Sequence, residues 1–388
     1  MSGKLRFIRM IKLIDKVSKQ YCVALLVAVL GAALPGCAST PPALPAAATP
    51  AERQIFLATG VARVLARQQD AQAPGVAVIV VKDGKVVLSL AKGMADLGKH
   101  AAIEPQTVFD VASLSKSITA IAIMQLVERG KVSLNDSILA WLPELPAAWR
   151  DVTIHHLLSH QSGIADITRV SLNAFNAFDG MSNAALIKRY AGAGPLKFPP
   201  GSQAEYANIN YIFLAEVIGR ASGQGYGPYL HEHVFAPANM GSTFLHGEVV
   251  PASAKVALNF ARTSRSYGID LATVGATGIF SSVTDMAALL DSLLAGKLVS
   301  LATLRTMTQP QSVSTVMQSR YGYGFFIPAD KAPMTVFAHT GEVDGYRSFL
   351  RVNVSNGVHY VVLSNGGEAD SAVMNNIVAT IQDAYDRD

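Results

Sequence analysis

A serine and a lysine three residues apart, Ser113 and Lys116, open a long apolar stretch of the sequence. Positions i and i+3 of a helix share a face, so the lysine amine can lie against the serine hydroxyl. A serine hydroxyl becomes an effective nucleophile when a base takes its proton, and a lysine can be that base when desolvation lowers its pKa. The pair therefore predicts nucleophilic catalysis by Ser113 with Lys116 as the proton acceptor.

A second serine and lysine pair with the same spacing, Ser89 and Lys92, lies in an apolar run that is typical of a strand. Side chains at i and i+3 of a strand point to opposite faces, so this lysine does not reach this serine. The sequence therefore favours Ser113 over Ser89 as the nucleophile.

Two further short motifs follow Ser113 in the chain. Tyr206-Ala207-Asn208 is the only Y-x-N in the sequence, and His339-Thr340-Gly341 is the only place where histidine or lysine precedes Thr-Gly. Three motifs in this order arise together by chance far less often than any one of them alone. We therefore treat them as parts of one site.

A hairpin precedes the first motif. The runs Val76–Val81 and Val86–Ala91 are apolar and rich in β-branched residues, and Asp83-Gly84 between them is typical of a type I′ turn. These features predict that the folded body opens with two antiparallel strands.

The first motif lies at the start of a predicted buried helix. The segment Ser113–Glu128 is apolar nearly all round and closes at Gly130, which is typical of a glycine that follows a last helical turn. Burial in this helix would lower the pKa of Lys116, and the helix N-terminus would favour negative charge near Ser113.

Helical patterns fill the middle of the chain, about residues 133–310, and are broken by proline and glycine. Examples are Asp151–His160, Tyr211–Ala221 and Val283–Leu294.

Strand patterns return near the end of the chain. Tyr346–Asn353 and Val358–Ser364, joined by Ser355-Asn356-Gly357, predict a second hairpin, and Ala372–Tyr385 predicts a closing amphipathic helix. Strands at both ends with helices between predict an α+β fold. Both chain ends would complete one antiparallel sheet, flanked by helices, that carries an inserted and mainly helical lobe.

The three motifs and their order resemble the class C β-lactamase and D,D-peptidase group of the serine β-lactamase and penicillin-binding-protein-like superfamily. Relatives of this group include carboxylesterases and D-amino-acid peptidases. The likeness extends from Ala73 to Leu363 and passes through Thr107-Val108-Phe109, the helix end Leu126–Gly130, Leu157–Gly163 and Gly278–Asp285. The resemblance implies a β-lactamase/transpeptidase-like fold for residues 52–388.

The resemblance also implies roles for the residues of the first two motifs. Ser113 would be the acylated nucleophile and Lys116 its proton acceptor. Tyr206 would relay protons to the leaving group and to the deacylating water, and Asn208 would hold the substrate carbonyl and steady Lys116.

The third motif is implied to border the substrate from a strand at a sheet edge. His339, Thr340 and Gly341 would be substrate-binding residues, and the backbone amides of Ser113 and Glu342 would form the oxyanion hole. The resemblance implies that the reaction needs no cofactor.

Two positions depart from the pattern of this group. His339 replaces the commoner lysine and is expected to be only partly charged near neutral pH. Glu342 stands where relatives have Ser, Thr or Gly, and would repel a substrate carboxylate if its side chain points into the cleft. Arg347 or Arg351 on the next strand could offset that charge. These departures favour neutral esters or amides and predict weak hydrolysis of β-lactams.

The predicted function is therefore that of an exported serine hydrolase acting on small ester or amide and peptide substrates, of the carboxylesterase or D,D-peptidase type. Two alternatives stay open. One is a class C-like β-lactamase, and the other is a non-catalytic, penicillin-binding-like protein of the cell envelope.

The N-terminal residues predict export and a lipid anchor. Residues 1–36 combine a basic start with a short apolar run before Leu34-Pro35-Gly36-Cys37, which resembles a bacterial lipoprotein signal peptide. Cys37 would be acylated and would tie the protein to a membrane of the cell envelope, facing the periplasm or the exterior. Ordinary cleavage and a transmembrane segment are the alternatives. Residues 37–51, rich in alanine and proline, would form a tether.

The charge distribution argues against nucleic-acid binding. The formal net charge of the chain is +4, but residues 1–20 hold six basic residues and one acidic residue. The predicted domain therefore lacks the excess positive charge of a nucleic-acid binder.

The sequence also predicts that the protein binds no metal. Both cysteines, Cys22 and Cys37, precede the predicted domain. The spacing of the histidines at positions 155, 156 and 160 suits a helical metal site, but H-E-x-x-H is missing and only two aspartates lie nearby.

Overall fold

The computed structural model describes residues 44–45, 48–66, 73–167, 181–252, 254–259, 273–314, 319–343 and 345–386. The predicted signal peptide 1–36, Cys37 and most of the predicted tether 37–51 lie outside the described residues. In the described part of the chain, no helix combines the length and the apolar character that crossing a membrane requires.

Ten α-helices lie in the described residues. They are α1 (Pro50–Ala66), α2 (Ser115–Glu128), α3 (Ile138–Trp141), α4 (Ile154–Leu158), α5 (Asn183–Tyr190), α6 (Asn208–Ser222), α7 (Tyr226–Leu230), α8 (Val283–Leu294), α9 (Leu301–Met307) and α10 (Ser371–Tyr385).

Thirteen strands accompany these helices. They are β1 (Val76–Lys82), β2 (Lys85–Lys92), β3 (Met94–Asp96), β4 (Ala101–Ala102), β5 (Phe109–Asp110), β6 (Phe244–Leu245), β7 (Ile279–Ser281), β8 (Ser312–Ser314), β9 (Ser319–Tyr321), β10 (Phe326–Ile327), β11 (Val336–Val343), β12 (Tyr346–Asn353) and β13 (Val358–Ser364).

The main sheet has eight antiparallel strands in the order β2-β1-β13-β12-β11-β10-β9-β8. Strand β1 pairs with β13, so that Val76 lies opposite Ser364. Strands from the two chain ends thus lie side by side, and the predicted α+β fold, with a sheet completed by both ends, is confirmed.

Both predicted hairpins are present. The first turns at Asp83 and Gly84, whose φ angles of 51° and 71° are the positive values that a type I′ turn requires. The second joins β12 to β13 with the predicted strand bounds.

The two faces of the main sheet are covered by different helices. Along β1, Val78 and Val80 pack with α1 and α10, while Ala77 and Ile79 belong to the core that contains α2 and α8. Because alternate residues of a strand point to opposite faces, a central strand buried on both faces is apolar throughout.

The inserted lobe lies between β5 and β8 and is mainly helical, although β5, β7 and β6 form a second small sheet. The helix predicted over Asp151–His160 is shorter in the structure, at Ile154–Leu158. The Thr153 side chain caps its first turn, and His160, with a φ of 61°, cannot continue it.

Candidate active site

Ser113 lies in a short 3-10 turn, Ala112–Leu114, that leads directly into α2. The predicted helix starts at Ser113, but the α-helix of the structure begins two residues later, at Ser115. Ala112 has a φ of 51°, a left-handed conformation that costs a non-glycine residue energy, and Asp110 Oδ1 accepts a hydrogen bond from its amide at 2.8 Å. This strained turn places Ser113 at the amino end of the buried helix.

Lys116 is fully buried on the first turn of α2. Its Nζ donates hydrogen bonds to Ser113 Oγ at 3.0 Å, to Asn208 Oδ1 at 2.8 Å and to the Ala276 carbonyl at 2.9 Å. The first two motifs thus meet at one amine, although 92 residues separate Lys116 from Asn208.

Burial lowers the pKa of Lys116 to about 7, because no water remains to solvate the ammonium. The acidic side chain of Asp166 partly offsets this and raises the pKa. Asp166 also accepts hydrogen bonds from the Ile209 amide at 3.0 Å and from Asn208 Nδ2 at 3.3 Å. It therefore fixes the start of α6 and orients the amide that holds Lys116.

Tyr206 immediately precedes α6, and its ring centre lies 4.9 Å from Lys116 Nζ. Burial raises the pKa of Tyr206 well above its usual range, and hydrogen bonding with Ser113 only partly offsets this rise. The phenol therefore stays protonated near neutral pH. Of the two groups beside Ser113, the lysine is the one that can act as a base.

His339 lies on β11 and is fully buried. Its Nδ1 lies 2.6 Å from the Thr340 carbonyl and must donate to it, so Nε2 accepts from the Tyr321 hydroxyl at 3.1 Å. Burial, together with the nearby Lys116, lowers the pKa of His339 to about 3. The expectation of a partly charged histidine is therefore wrong, and the ring is neutral at neutral pH.

Gly341 brings β11 against the turn that holds Ser113. A Cβ atom on Gly341 would lie 2.9 Å from the Ser113 amide nitrogen and 2.8 Å from the Val111 carbonyl oxygen, so any larger residue would push the strand away. This close approach places the backbone that leads into Glu342 next to the nucleophile. Such an arrangement is compatible with an oxyanion hole formed by the two predicted amides.

The strand that carries the third motif is not itself an outer strand of the sheet. Strand β11 pairs with β12 along its full length, but it pairs with β10 only where Phe326 lies opposite Ala338. Residues 339–343 therefore have β12 on one side only. The sheet edge expected beside the site exists locally, along the second half of β11.

The Glu342 side chain points away from Ser113. It lies opposite Arg347 on β12, and the two side chains form an ion pair with an oxygen to nitrogen distance of 2.8 Å. Two residues from Gly341, Thr340 pairs with Phe349, which packs on the face covered by α1 and α10. Alternation along the strand puts Glu342 on that face as well. The condition for repulsion of a substrate carboxylate by Glu342 is therefore not met.

Other residues that the sequence offers as a nucleophile or as metal ligands lie apart from this site. Ser89 is exposed on β2, at the outer edge of the sheet. His155 Nδ1 contacts the Tyr323 hydroxyl at 2.7 Å, and His156 forms a capping box with Thr153. No group of three or more candidate metal ligands occurs among the residues whose structure is described.

Four residues near the nucleophile were not predicted as site residues: His160, Asp166, Tyr321 and Phe326. The Phe326 ring lies 4.7 Å from His339 and 6.2 Å from Tyr206, so it completes an aromatic wall. His160 belongs to the segment Leu157–Gly163, which shares in the family resemblance but for which the sequence predicts no catalytic role.

A family model for β-lactamase matches residues 61–383 of the chain. The chain belongs to the β-lactamase family. A relative from Bacillus subtilis (strain 168), named putative penicillin-binding protein PbpX, is 31% identical over 293 residues, which are 74% of this chain and 69% of that protein. The chain is thus a member of the β-lactamase and penicillin-binding-protein-like serine hydrolases.

Solved structures of other proteins share the fold. The penicillin-binding protein from Bacillus halodurans superposes with a TM-score of 0.70 at 25% identity, covering 82% of this chain and 98% of that one. The D-amino acid amidase from Ochrobactrum anthropi SV3 superposes with a TM-score of 0.67 at 20% identity, covering 86% of this chain and 98% of that one. The likeness to the amidase is one of fold alone.

Proposed function

We propose that the protein hydrolyses small, uncharged ester or amide substrates through an acyl-enzyme on Ser113. The observation that carries this proposal is the buried Lys116, whose Nζ lies 3.0 Å from Ser113 Oγ and whose pKa is lowered to about 7. A lysine in its neutral form accepts the serine proton, whereas a permanently charged lysine cannot.

In the acylation step, Ser113 Oγ attacks the substrate carbonyl carbon and its proton passes to neutral Lys116. The substrate oxygen gains negative charge, which the backbone amides of Ser113 and Glu342 would stabilise. Tyr206 donates its proton to the departing alkoxide or amide nitrogen and regains one from the Lys116 ammonium. The bond to the leaving group breaks, and Ser113 holds the acyl group.

In the deacylation step, water attacks the acyl carbon and loses a proton to the same Tyr206 and Lys116 pair. Ser113 Oγ leaves with a proton, and the carboxylic acid product is released. No external oxidant, reductant or second substrate is needed, because one water molecule supplies every atom that hydrolysis adds.

The preference for uncharged substrates rests on His339. Its neutral ring offers neither a positive charge nor a free donor, because both nitrogens are already hydrogen-bonded. The ion pair of Glu342 with Arg347 lies on the other sheet face and adds no net charge to the site. A substrate carboxylate would therefore find a neutral third motif, which favours the carboxylesterase or amidase reaction over the D,D-peptidase and β-lactamase reactions.

A fluorophosphonate probe on the full chain tests the reaction. We expect covalent labelling of the wild type, loss of labelling in Ser113→Ala, and unchanged labelling in Ser89→Ala. Labelling that survives Ser113→Ala would overturn the proposed nucleophile. A wild type that is not labelled would leave the non-catalytic, penicillin-binding-like alternative.

Intact mass and substrate loss in benzylpenicillin then test the substrate class. We expect hydrolysis of short-chain neutral esters and no lasting penicilloyl adduct. A persistent adduct would indicate a penicillin-binding D,D-peptidase, and an adduct that clears with rapid turnover would indicate a β-lactamase. Either adduct would contradict the preference for uncharged substrates.

We also propose that the protein is exported and anchored through acylated Cys37. The basis is the lipoprotein-like sequence before Cys37 and the alanine- and proline-rich residues that follow it. Mass spectrometry of the mature N-terminus, with Cys37→Ser as the control, should show a lipid-modified first residue on the wild type only. An unmodified Cys37 in protein recovered from the soluble fraction would refute the anchor.

A further inference from the structure

His160 holds the backbone on both sides of Tyr206. Its carbonyl oxygen accepts a hydrogen bond from the Glu205 amide at 2.9 Å, and its Nδ1 accepts one from the Ala207 amide at 3.2 Å. One residue from a distant part of the chain therefore fixes the two peptide units that flank the tyrosine.

The His160 ring also supports the Tyr206 side chain. The two ring centres are 4.3 Å apart with planes at 38°, while Tyr321 and Tyr211 lie 4.8 Å and 5.2 Å from the same imidazole. Contacts to the backbone before and after Tyr206 and to its ring together restrict where the phenol oxygen can lie.

His160 keeps this position at an energetic cost. Its φ of 61° is unfavourable for a residue other than glycine, and only 3% of the residue is exposed. Among the residues that the structure describes, its Nε2 has no hydrogen-bond partner. An unpaired buried donor destabilises the folded state. Features retained at such cost are concentrated at functional sites.

The hydrogen bonds also fix the protonation of His160. Because Nδ1 accepts from an amide, the ring proton lies on Nε2. Burial and the nearby Lys116 and His339 lower the pKa of His160 well below its usual value. A neutral ring is required, since a protonated Nδ1 could not accept from Ala207.

We propose that His160 is a positioning residue that aims the Tyr206 hydroxyl at the leaving group. This inference rests on the proposed function, in which Tyr206 transfers its O–H proton to the leaving atom as the acyl to leaving-group bond breaks and is reprotonated by the Lys116 ammonium. His160 itself exchanges no proton in this step.

Leaving groups of different basicity test the proposal. A p-nitrophenolate leaves without protonation, whereas an alkoxide leaves only when it receives a proton. We therefore compare the p-nitrophenyl and ethyl esters of one acyl group on full-length wild type, His160→Phe and His160→Asn. Phenylalanine retains a ring without an acceptor. Asparagine retains an acceptor near the Nδ1 position and tolerates a positive φ.

In His160→Phe we expect kcat/KM, which reports the steps up to acylation, to fall about 100-fold on the ethyl ester and less than about fivefold on the p-nitrophenyl ester. We expect His160→Asn to recover most of the loss on the ethyl ester. Equal losses on both esters, or no recovery with asparagine, would show that His160 serves the stability of the fold and would overturn the proposal.

A double-mutant cycle provides the second measurement. Adding His160→Phe to Tyr206→Phe should cost no further activity on the ethyl ester, because the group that His160 positions is already gone. Additive losses would contradict the proposal. If His160→Phe does not fold, His160→Ala replaces it in both comparisons. A wild type that hydrolyses neither ester would instead refute the proposed function, and this outcome is seen without any His160 variant.

Discussion

Both faces of the main sheet bury cationic side chains, but the groups that contact these side chains differ between the faces. On the face with α2, Lys116 Nζ is hydrogen-bonded to neutral oxygens, those of Ser113, Asn208 and Ala276. On the face with α1 and α10, Arg347 and Arg351 are paired with the carboxylates of Glu342 and Asp386, at 2.8 and 3.1 Å.

The difference between the faces explains which cation can do chemistry. A buried cation without a carboxylate in contact loses solvation and gains little in return, so its pKa falls toward neutrality. A buried arginine that is paired with a carboxylate stays charged and serves structure. The side chains of Arg347 and Arg351 are 8% and 9% exposed, so burial alone does not distinguish them from Lys116.

The largest expected effect comes from removing the amine of Lys116, the buried cation without a carboxylate in contact. Lys116→Met should lower kcat/KM for a neutral ester about 1,000-fold, because no other group beside Ser113 has a pKa suited to accept its proton. Steady-state kinetics at pH 8 measures this, with Lys92→Met as the matched control. Activity within tenfold of the wild type would mean that another group is the base.

The pH dependence of the wild type tests the same lysine. Lys116 must be neutral to act, so kcat/KM should fall about tenfold for each pH unit below about 7 and should level off above it. A pH–rate profile between pH 5 and 9 gives the apparent pKa. A profile that stays flat down to pH 5 would contradict a base with this pKa.

The lowered pKa of Lys116 should also make the free energy of unfolding depend on pH. The pKa of Lys116 is about 7 in the folded protein and 10.5 without the protein environment, so the folded state binds fewer protons between these values. Stability therefore gains up to about 1.4 kcal/mol per pH unit across that window from this group. Denaturant unfolding at several pH values should show a steeper rise for wild type than for Lys116→Met. Parallel curves would argue against the shift.

Removing a carboxylate from the other face should affect stability and leave catalysis unchanged. Asp386→Asn leaves Arg351 buried without its charge partner and should lower the free energy of unfolding by about 2 kcal/mol. Denaturant unfolding measures the loss, with the exposed Asp330→Asn as control, and kcat should stay within twofold. A large fall in kcat with unchanged stability would contradict the conclusion that this face affects stability and not catalysis.

The smallest effect is expected at the pair nearest to the site. Arg347→Met leaves Glu342 with an exposed carboxylate, since 55% of that side chain is accessible to solvent. We expect a loss of unfolding free energy of about 1 kcal/mol or less. Activity on neutral esters should stay close to that of the wild type. A marked change in the ratio of benzylpenicillin to ester reactivity would show that the second face does reach the substrate.

Features set by neighbours in sequence could be predicted. The Asp83-Gly84 turn depends on two residues that tolerate positive φ, and the approach of Lys116 to Ser113 follows from their three-residue spacing. The strands on either side of residues 355–357 follow from apolar runs and a turn between them.

Features set by contacts between distant residues could not be predicted. Asp166 reaches Asn208, and His160 reaches Ala207, across more than 40 residues of sequence. The orientation of Glu342 depends on which strand face meets α2, and the neutral state of His339 depends on its burial and on the nearby Lys116. The sequence contains each residue but carries no local pattern that brings the partners together.

The pairing of β1 with β13 affects the order in which parts of the protein can fold during synthesis. Val76 cannot pair with Ser364 until residue 364, which follows 288 residues later, has left the ribosome. The turn of Ser113 likewise packs against Gly341, which is synthesised more than 200 residues after it. A sheet that depends on such distant residues forms slowly compared with one built from local hairpins. A nascent chain therefore carries Ser113 long before it carries the strand residues that complete the surroundings of Ser113.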